Sequence, residues 1–235
     1  MMRAKNIISI SPFIRESLST KRNGLNIYDI ENAISLDFFQ PLTVSNKEYA
    51  LFIGSIDERK SVLELLEAVK KSNTIRLKIV STTQQGEYFQ KVRDFVSDNQ
   101  LNDRVEFLGP KKSNDLVNIV KDCSFVVLPS KNEAAPMVIS EAMAIGKPVI
   151  ASSIAGIPAM VEDGETGILV AVGDIEQLKE KMELLLGNRE LCDSMGLCAK
   201  KNAMQRWHPD VVAEKTMEVY KNVLQRYRFG TKNQK

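Results

Sequence analysis

The chain of 235 residues holds only three cysteines, one histidine and one tryptophan. Cys123, Cys192 and Cys198 form no CxxC pair, and with His208 as the sole histidine they make a poor metal-ligand set. An odd number of scattered thiols argues against a disulfide framework and suits a reducing cytosol. They read as buried or half-buried structural thiols. One histidine cannot build a Ser-His-Asp or Cys-His catalytic set, and His208, between Trp207 and Pro209, reads as a capping or packing residue. No Asp-x-Asp pair of carboxylates occurs. No apolar run approaches the ~18–20 residues of a membrane span. The apolar part of the first ten residues is too short for a signal peptide. Lys plus Arg (32) nearly balance Asp plus Glu (30), so no strongly basic surface for nucleic acid is implied.

What is present is a chain 43% hydrophobic and 26% charged, enough for one large domain or one domain plus part of another. Short apolar runs alternate with longer periodic segments. Strands are predicted at 7–10, 27–30, 49–53, 77–80, 105–108, 124–128, 149–151 and 167–170. Helices are predicted at 12–19, 60–71, 88–99, 115–121 and from Pro136, with a short one from Pro158. Helices at 175–186, 189–204 and 209–227 follow. Val62, Leu65, Leu66 and Val69 share one helical face. In the last helix Val212, Val219, Val223 and Tyr227 fall near one face, which is expected to pack on the body. The alternation implies an α/β, Rossmann-like parallel sheet with helices on both faces. Ligands of such sheets bind beyond the carboxyl ends of the strands, where the loops 54–60 and 129–136 fall.

The second loop carries the chain's most informative segment. Glu133-Ala-Ala-Pro-Met-Val-Ile-Ser-Glu141 places two carboxylates with seven residues between them, ahead of Ala-Met-Ala-Ile-Gly146-Lys-Pro148. Pro136 suits the first helical position, Gly146 the helix C-terminus, and Pro148 bars continuation. Glu133 then lies in the loop and Glu141 within the helix. Ala135 offers no side-chain cap, so the first free amides, near Met137 and Val138, can serve an anion. Ala134 and Ala135 leave the backbone open to a ligand. In the first loop, Arg59 and Lys60 are expected in the first turn of a helix, where the dipole disfavours cations.

A bare Glu-x7-Glu means little, but this one is embedded in a long ordered pattern. Pro129-Ser130 precedes it, and Gly156-Ile-Pro158 and Asp163-Gly-x-Thr-Gly167 follow. The stretch 124–170 resembles the nucleotide-sugar half of the retaining glycosyltransferases of GT-B fold, the glycosyl transferases group 1 family. Leu51-Phe-Ile-Gly54 with Lys60 resembles the family's phosphate loop, and Val105-Glu-Phe-Leu-Gly109 the strand and turn beside the base. The resemblance implies that Glu141 accepts hydrogen bonds from the donor ribose and that Glu133, a candidate catalytic residue, contacts the transferred hexose. Retention by double inversion and by front-face attack both stay open. Lys60 would neutralise the diphosphate, and Gly54, Arg59, Gly109, Ala134, Ala135, Pro136, Met137 and Val138 complete the donor-binding set. The diphosphate would be held without a metal or other cofactor.

The resemblance also implies an organisation. Residues 1–40 resemble the end of an N-terminal acceptor domain and its crossover. Residues 41–205 resemble the donor domain, 206–228 the closing helix, and 229–235 read as a disordered tail. The implied partners are a nucleotide sugar, a glycan or lipid-linked acceptor, and a separate N-terminal acceptor-domain chain. The implied place is the cytoplasm, at the inner face of the membrane. On this reading the isolated chain transfers little or no sugar, and the alternative is a nucleotide-sugar binding module. Departures bear on the phosphate site: Ser55 stands where the family often has arginine, Ser61 where it has glycine, and Ala155 and Ala159 where glycine and glutamate are usual.

Overall fold

In the computed structural model, residues 4–21, 24–41 and 48–230 are described, with side chains to residue 227. Six parallel strands form the main sheet: β3 (Ala50–Ile53), β4 (Leu77–Val80), β5 (Val105–Gly109), β6 (Phe125–Leu128), β7 (Val149–Ser152) and β8 (Gly167–Val170). Their order is β5-β4-β3-β6-β7-β8. Every residue of β6 and β7 is buried, as their unbroken apolar runs require of strands covered on both faces. The helices that cover them are α2 (Val62–Lys70), α3 (Glu87–Asp98), α4 (Ser113–Asp122), α5 (Met137–Ile145), α6 (Ile175–Gly187) and α7 (Arg189–Arg206). α2 packs against α3 and α6, and α5 packs against α4 and α7. The predicted face of α2 (Val62, Leu65, Leu66, Val69) is wholly buried.

A separate two-stranded parallel ladder joins β1 (Asn6–Ser9) to β2 (Asn26–Asp29), with α1 (Pro12–Lys21) between them. The segment after β2 binds back onto the main body. Ile34 N–H donates to Trp207 O at 3.0 Å, and Arg206 holds Glu31 through Nε at 3.1 Å and Nη2 at 2.5 Å.

Several expectations need correction. The helix expected from Lys60 begins at Val62. Glu58–Lys60 form a 3-10 turn, and Ser61, at φ 54°, separates it from α2. Pro136 is the N-cap of α5 rather than its first residue, with extended ψ of 113°. The final helix, α8 (Pro209–Gly230), does not bury the face expected to pack on the body. Val212, Val219 and Val223 are half-buried and Tyr227 is 67% exposed. At 22 residues α8 is ~33 Å long, about the diameter of a small domain. Met217, Tyr220 and Leu224 are exposed on it, as is Phe13 on α1. Because α8 runs to Gly230, the tail expected from 229 begins inside a helix, and residues 231–235 lie outside the described ones.

Cys123 and Cys192 are buried, and burial pushes their thiols up to about 12 and about 11, so both stay protonated. Cys198, expected to be at least half-buried, is exposed. His208 packs against Phe39 at 5.0 Å between ring centroids, and its Nδ1 accepts from Asp210 N–H at 3.4 Å, inside the first turn of α8. Among the described residues no helix is long and apolar enough to cross a membrane.

Candidate functional site

Numbered from one at β3, the main sheet runs 3-2-1-4-5-6, and the chain reverses direction across the sheet between β3 and β6. At such a switch point the loops after the two central strands part and leave a crevice at the carboxyl ends. The loops are those singled out by the sequence, 54–60 after β3 and 129–136 after β6. They are tied together: Lys131 N–H donates to Arg59 O at 2.8 Å, and the Lys60 ammonium donates to Glu133 Oε1. That ion pair is mostly buried, with side-chain exposures of 13% and 9%. Lys60 also lies beside Gly54, at an ordinary contact distance. A Cβ there would come within 3.7 Å of Lys60 Cε.

Arg59 goes elsewhere. Its guanidinium lies 3.6 Å from Asp57 Oδ2, with more than half of the side chain exposed. Asp57 also accepts from Ser55 Oγ at 2.6 Å. Burial works against the Asp57 charge, but Ser55, Arg59 and the backbone amides of Lys60 and Arg59 outweigh it and hold the pKa below the usual value. Ser55 thus orders the carboxylate of the loop after β3.

Two departures from the family pattern fall on strained backbone. Ser61 at φ 54° and Ala155 at φ 49° both occupy the left-handed region, where a side chain costs roughly 1–2 kcal/mol and glycine is at ease. Ser61 Oγ is moreover buried without a hydrogen-bond partner among the described residues. So are Asp57 Oδ1, Ser130 Oγ and Ser152 Oγ, all on the carboxyl side of the sheet. Buried polar atoms without partners are uncommon; four of the five among the described residues fall on this side, the fifth being Tyr28 Oη, and they are open to a ligand or solvent.

α5 starts at the crevice with no side-chain cap from Pro136, and its C-terminus closes on Gly146 at φ 96°. Met137 is 38% exposed, while the rest of the helix is buried except for half-buried Glu141. Burial alone raises the Glu141 pKa; no neighbouring charge or hydrogen bond offsets it. A folded-state pKa above the unfolded value means that ionised Glu141 costs stability at neutral pH, a cost absent below the ordinary glutamate pKa. Glu141→Gln should therefore melt above the wild type at pH 7 without ligand, with the gap closing as the pH falls below 4. Equal midpoints at both pH values, measured by calorimetry, would contradict it.

Ala134 and Ala135 are half-buried beside the crevice. The role of Gly156 is not visible in the sequence. Its N–H donates to Glu133 O at 2.8 Å, and a Cβ on it would lie 1.7 Å from Ala134 O. It lets a second loop rest directly on the backbone of 133–134.

Gly109, at φ 65°, ends β5 and borders a separate hollow of about 460 Å³. Its walls are Ile56, Ile79, Phe89, Phe107 and Leu108, with Ser81, Thr83, Gln84 and Arg93 as the polar lining. Gln84 and Arg93 escaped the sequence reading because nothing local separates them from other solvated residues of their loop and helix. Among the described residues no three His, Cys, Asp or Glu side chains group as metal ligands.

A family model described as glycosyl transferases group 1 matches residues 34–202, from the segment after β2 to α7. An uncharacterized glycosyltransferase of Methanocaldococcus jannaschii is 31% identical over 192 residues, which are 81% of this chain and 52% of that protein. The N-acetyl-alpha-D-glucosaminyl L-malate synthase of Bacillus anthracis is 27% identical over 204 residues, 82% of this chain and 52% of the synthase. The chain thus spans about half the length of these relatives. Anabaena HepE, solved in complex with UDP-glucose, superposes with a TM-score of 0.81 at 21% identity over 94% of this chain and 64% of that one.

Proposed function

The chain belongs to the glycosyl transferases group 1 family, and from that premise we propose that residues 41–205 bind the donor of a hexosyl transfer, a nucleotide-diphosphate sugar. The observation that carries the reading is the Lys60–Glu133 pair, which joins the two motif loops across the switch point. On this reading the diphosphate displaces Glu133 as the partner of Lys60 and rests on the free amides of Met137 and Val138. The positive end of α5 and the ammonium together stabilise the charge that develops as the nucleoside diphosphate leaves. Glu141 accepts from the two ribose hydroxyls, which explains a carboxylate kept half-buried without a partner. Glu133, released from Lys60, turns to the hexose, and transfer proceeds with retention to a glycan or lipid-linked acceptor. The charge is carried by Lys60 and the helix end, with no metal. Residues 1–40 belong to the acceptor side and crossover, and 206–228 form the closing helix. Chemistry at the inner face of the cytoplasmic membrane suits a lipid-linked acceptor.

Supporting the reading are the uncapped α5, the pair at the switch point and the relatives named above. Thermal unfolding with UDP, GDP and ADP in turn tests it. A ligand at ~100 times its dissociation constant adds about 2.7 kcal/mol to folded-state stability. For a domain of this size that is a rise of roughly 5–10 °C. At least one nucleotide should give such a rise in the wild type and none in Glu141→Ala. No rise with any nucleotide, or an equal rise in the variant, would refute the assignment.

A further inference from the structure

Arg206 ends α7 and grips two segments that lie far apart in the chain. On one side its Nε and Nη2 hold the carboxylate of Glu31, in the segment after β2. On the other, Nη2 donates to Ala159 O at 2.7 Å and Nη1 to Met160 O at 3.5 Å. The guanidinium carbon lies 4.7 Å from the ring centroid of Trp207, a side chain buried in the core. A planar fork resting on a buried ring is fixed in direction as well as in charge. Ala159 closes the 3-10 turn Ile157–Ala159, which starts directly after Gly156. The turn is one stiff piece. Met160 N–H donates to Ile157 O at 2.8 Å, Val161 N–H donates to the same oxygen at 3.1 Å, and Ile157 is fully buried. Gly156, at its head, donates to Glu133 O and rests on Ala134 O. A hold on the tail of the turn is therefore a hold on the backbone of the Glu133 loop. Asn202, one turn before Arg206 in α7, adds a second grip further along, its Nδ2 donating to Glu162 Oε1 at 2.8 Å.

Resting on the donor-site reading above, we propose that Arg206 is a positioning residue for the sugar end of the donor site: anchored by Glu31, it clamps the 157–159 turn and so seats Glu133. It acts only through Gly156 and Glu133. Its reach is therefore the transferred hexose and not the nucleotide, which Lys60, the start of α5 and Glu141 hold. The clamp also ties the segment after β2 to the site, so that a shift of Glu31 is felt at Glu133. A bidentate carboxylate and two carbonyls occupy one guanidinium, and such a set needs the several donors of arginine in a rigid plane.

Amide hydrogen exchange of the full chain, read by NMR in the wild type, Arg206→Met and Glu31→Ala, tests the clamp without any ligand. The Gly156 amide should exchange at least about tenfold faster in both variants, while Leu51 and Phe52 in the buried β3 keep their rates. A merely structural role would leave Gly156 unchanged or speed all three amides alike, and either result overturns the proposal. Should Arg206→Met fail to fold, Glu31→Ala, which leaves α7 intact, carries the test. Calorimetric titration then compares UDP with UDP-glucose, GDP with GDP-mannose and ADP with ADP-glucose. For the pair that the wild type binds, both variants should weaken the nucleotide sugar about fivefold and leave the nucleotide within about twofold. Equal weakening of the two, or weakening of neither, overturns the role at the sugar end. Absence of binding of all six by the wild type refutes the donor reading and that role with it. An unresponsive Gly156 beside normal nucleotide binding overturns the clamp alone.

Discussion

Gly156→Ala should lower the unfolding midpoint by roughly 6–12 °C and abolish stabilisation by any nucleotide. The new Cβ would stand 1.7 Å from Ala134 O and 2.6 Å from Ala134 C, both backbone atoms that cannot rotate aside. Overpacking typically costs 1–3 kcal/mol, and a clash with backbone belongs at or above the top of that range. About 3 kcal/mol in a domain of this size corresponds to the stated shift. Relief requires the 133–134 loop to move, breaking the 2.8 Å bond from Gly156 N–H to Glu133 O and dislodging Glu133 from Lys60. The control is Gly187→Ala at the end of α6, where a Cβ meets nothing within 4 Å and φ is not positive. That variant should melt within a degree or two of the wild type. A Gly156→Ala protein with wild-type midpoint and wild-type nucleotide response would show that the close approach is not maintained in solution.

Glu133→Ala carries the second large effect. Removing one partner of a buried pair leaves the other charge uncompensated, at a cost of about 3–5 kcal/mol. Both side chains here are at least 87% buried, so solvent screening offers little relief. The double substitution Lys60→Met with Glu133→Leu should recover most of the loss, because the desolvation cost of both ions disappears with them. Urea unfolding reads both. The pair also makes a prediction about ligands: a nucleoside diphosphate should stabilise Glu133→Ala more than the wild type, since the phosphate then neutralises a lysine that has nothing else. Destabilisation of Glu133→Ala by less than ~1 kcal/mol, or an equal ligand response, would argue that Lys60 reaches solvent and the pair is incidental.

The α5 segment was the most legible part of the molecule. Pro136, Gly146 and Pro148 are residues whose preferences are written in their own backbone, so the helix they bound could be drawn to within one residue. The eight strands were likewise marked by short apolar runs, each within a residue or two of its observed bounds. The start of α2 was misplaced because periodicity cannot register a single left-handed residue. Ser61 gives no local sign of φ 54°. The apolar face of α8 was real as a pattern, but a pattern does not say that the body reaches far enough to cover it.

By itself the sequence determined the alternation of strands and helices, the parallel sheet that alternation demands, the two loops at the carboxyl ends of the strands and the family pattern they carry. These follow from local terms: steric limits on proline and glycine, hydrophobic period, missing caps. Only the tertiary structure decided the strand order that sets β3 beside β6, and with it the meeting of Lys60 with Glu133 across 73 positions of chain. The same is true of Gly156 pressing on Ala134 and of Arg93 lying on Phe107. Each is a contact between segments that approach only when the buried sheet closes, so its energy belongs to the packed core and leaves no mark in any single stretch of chain.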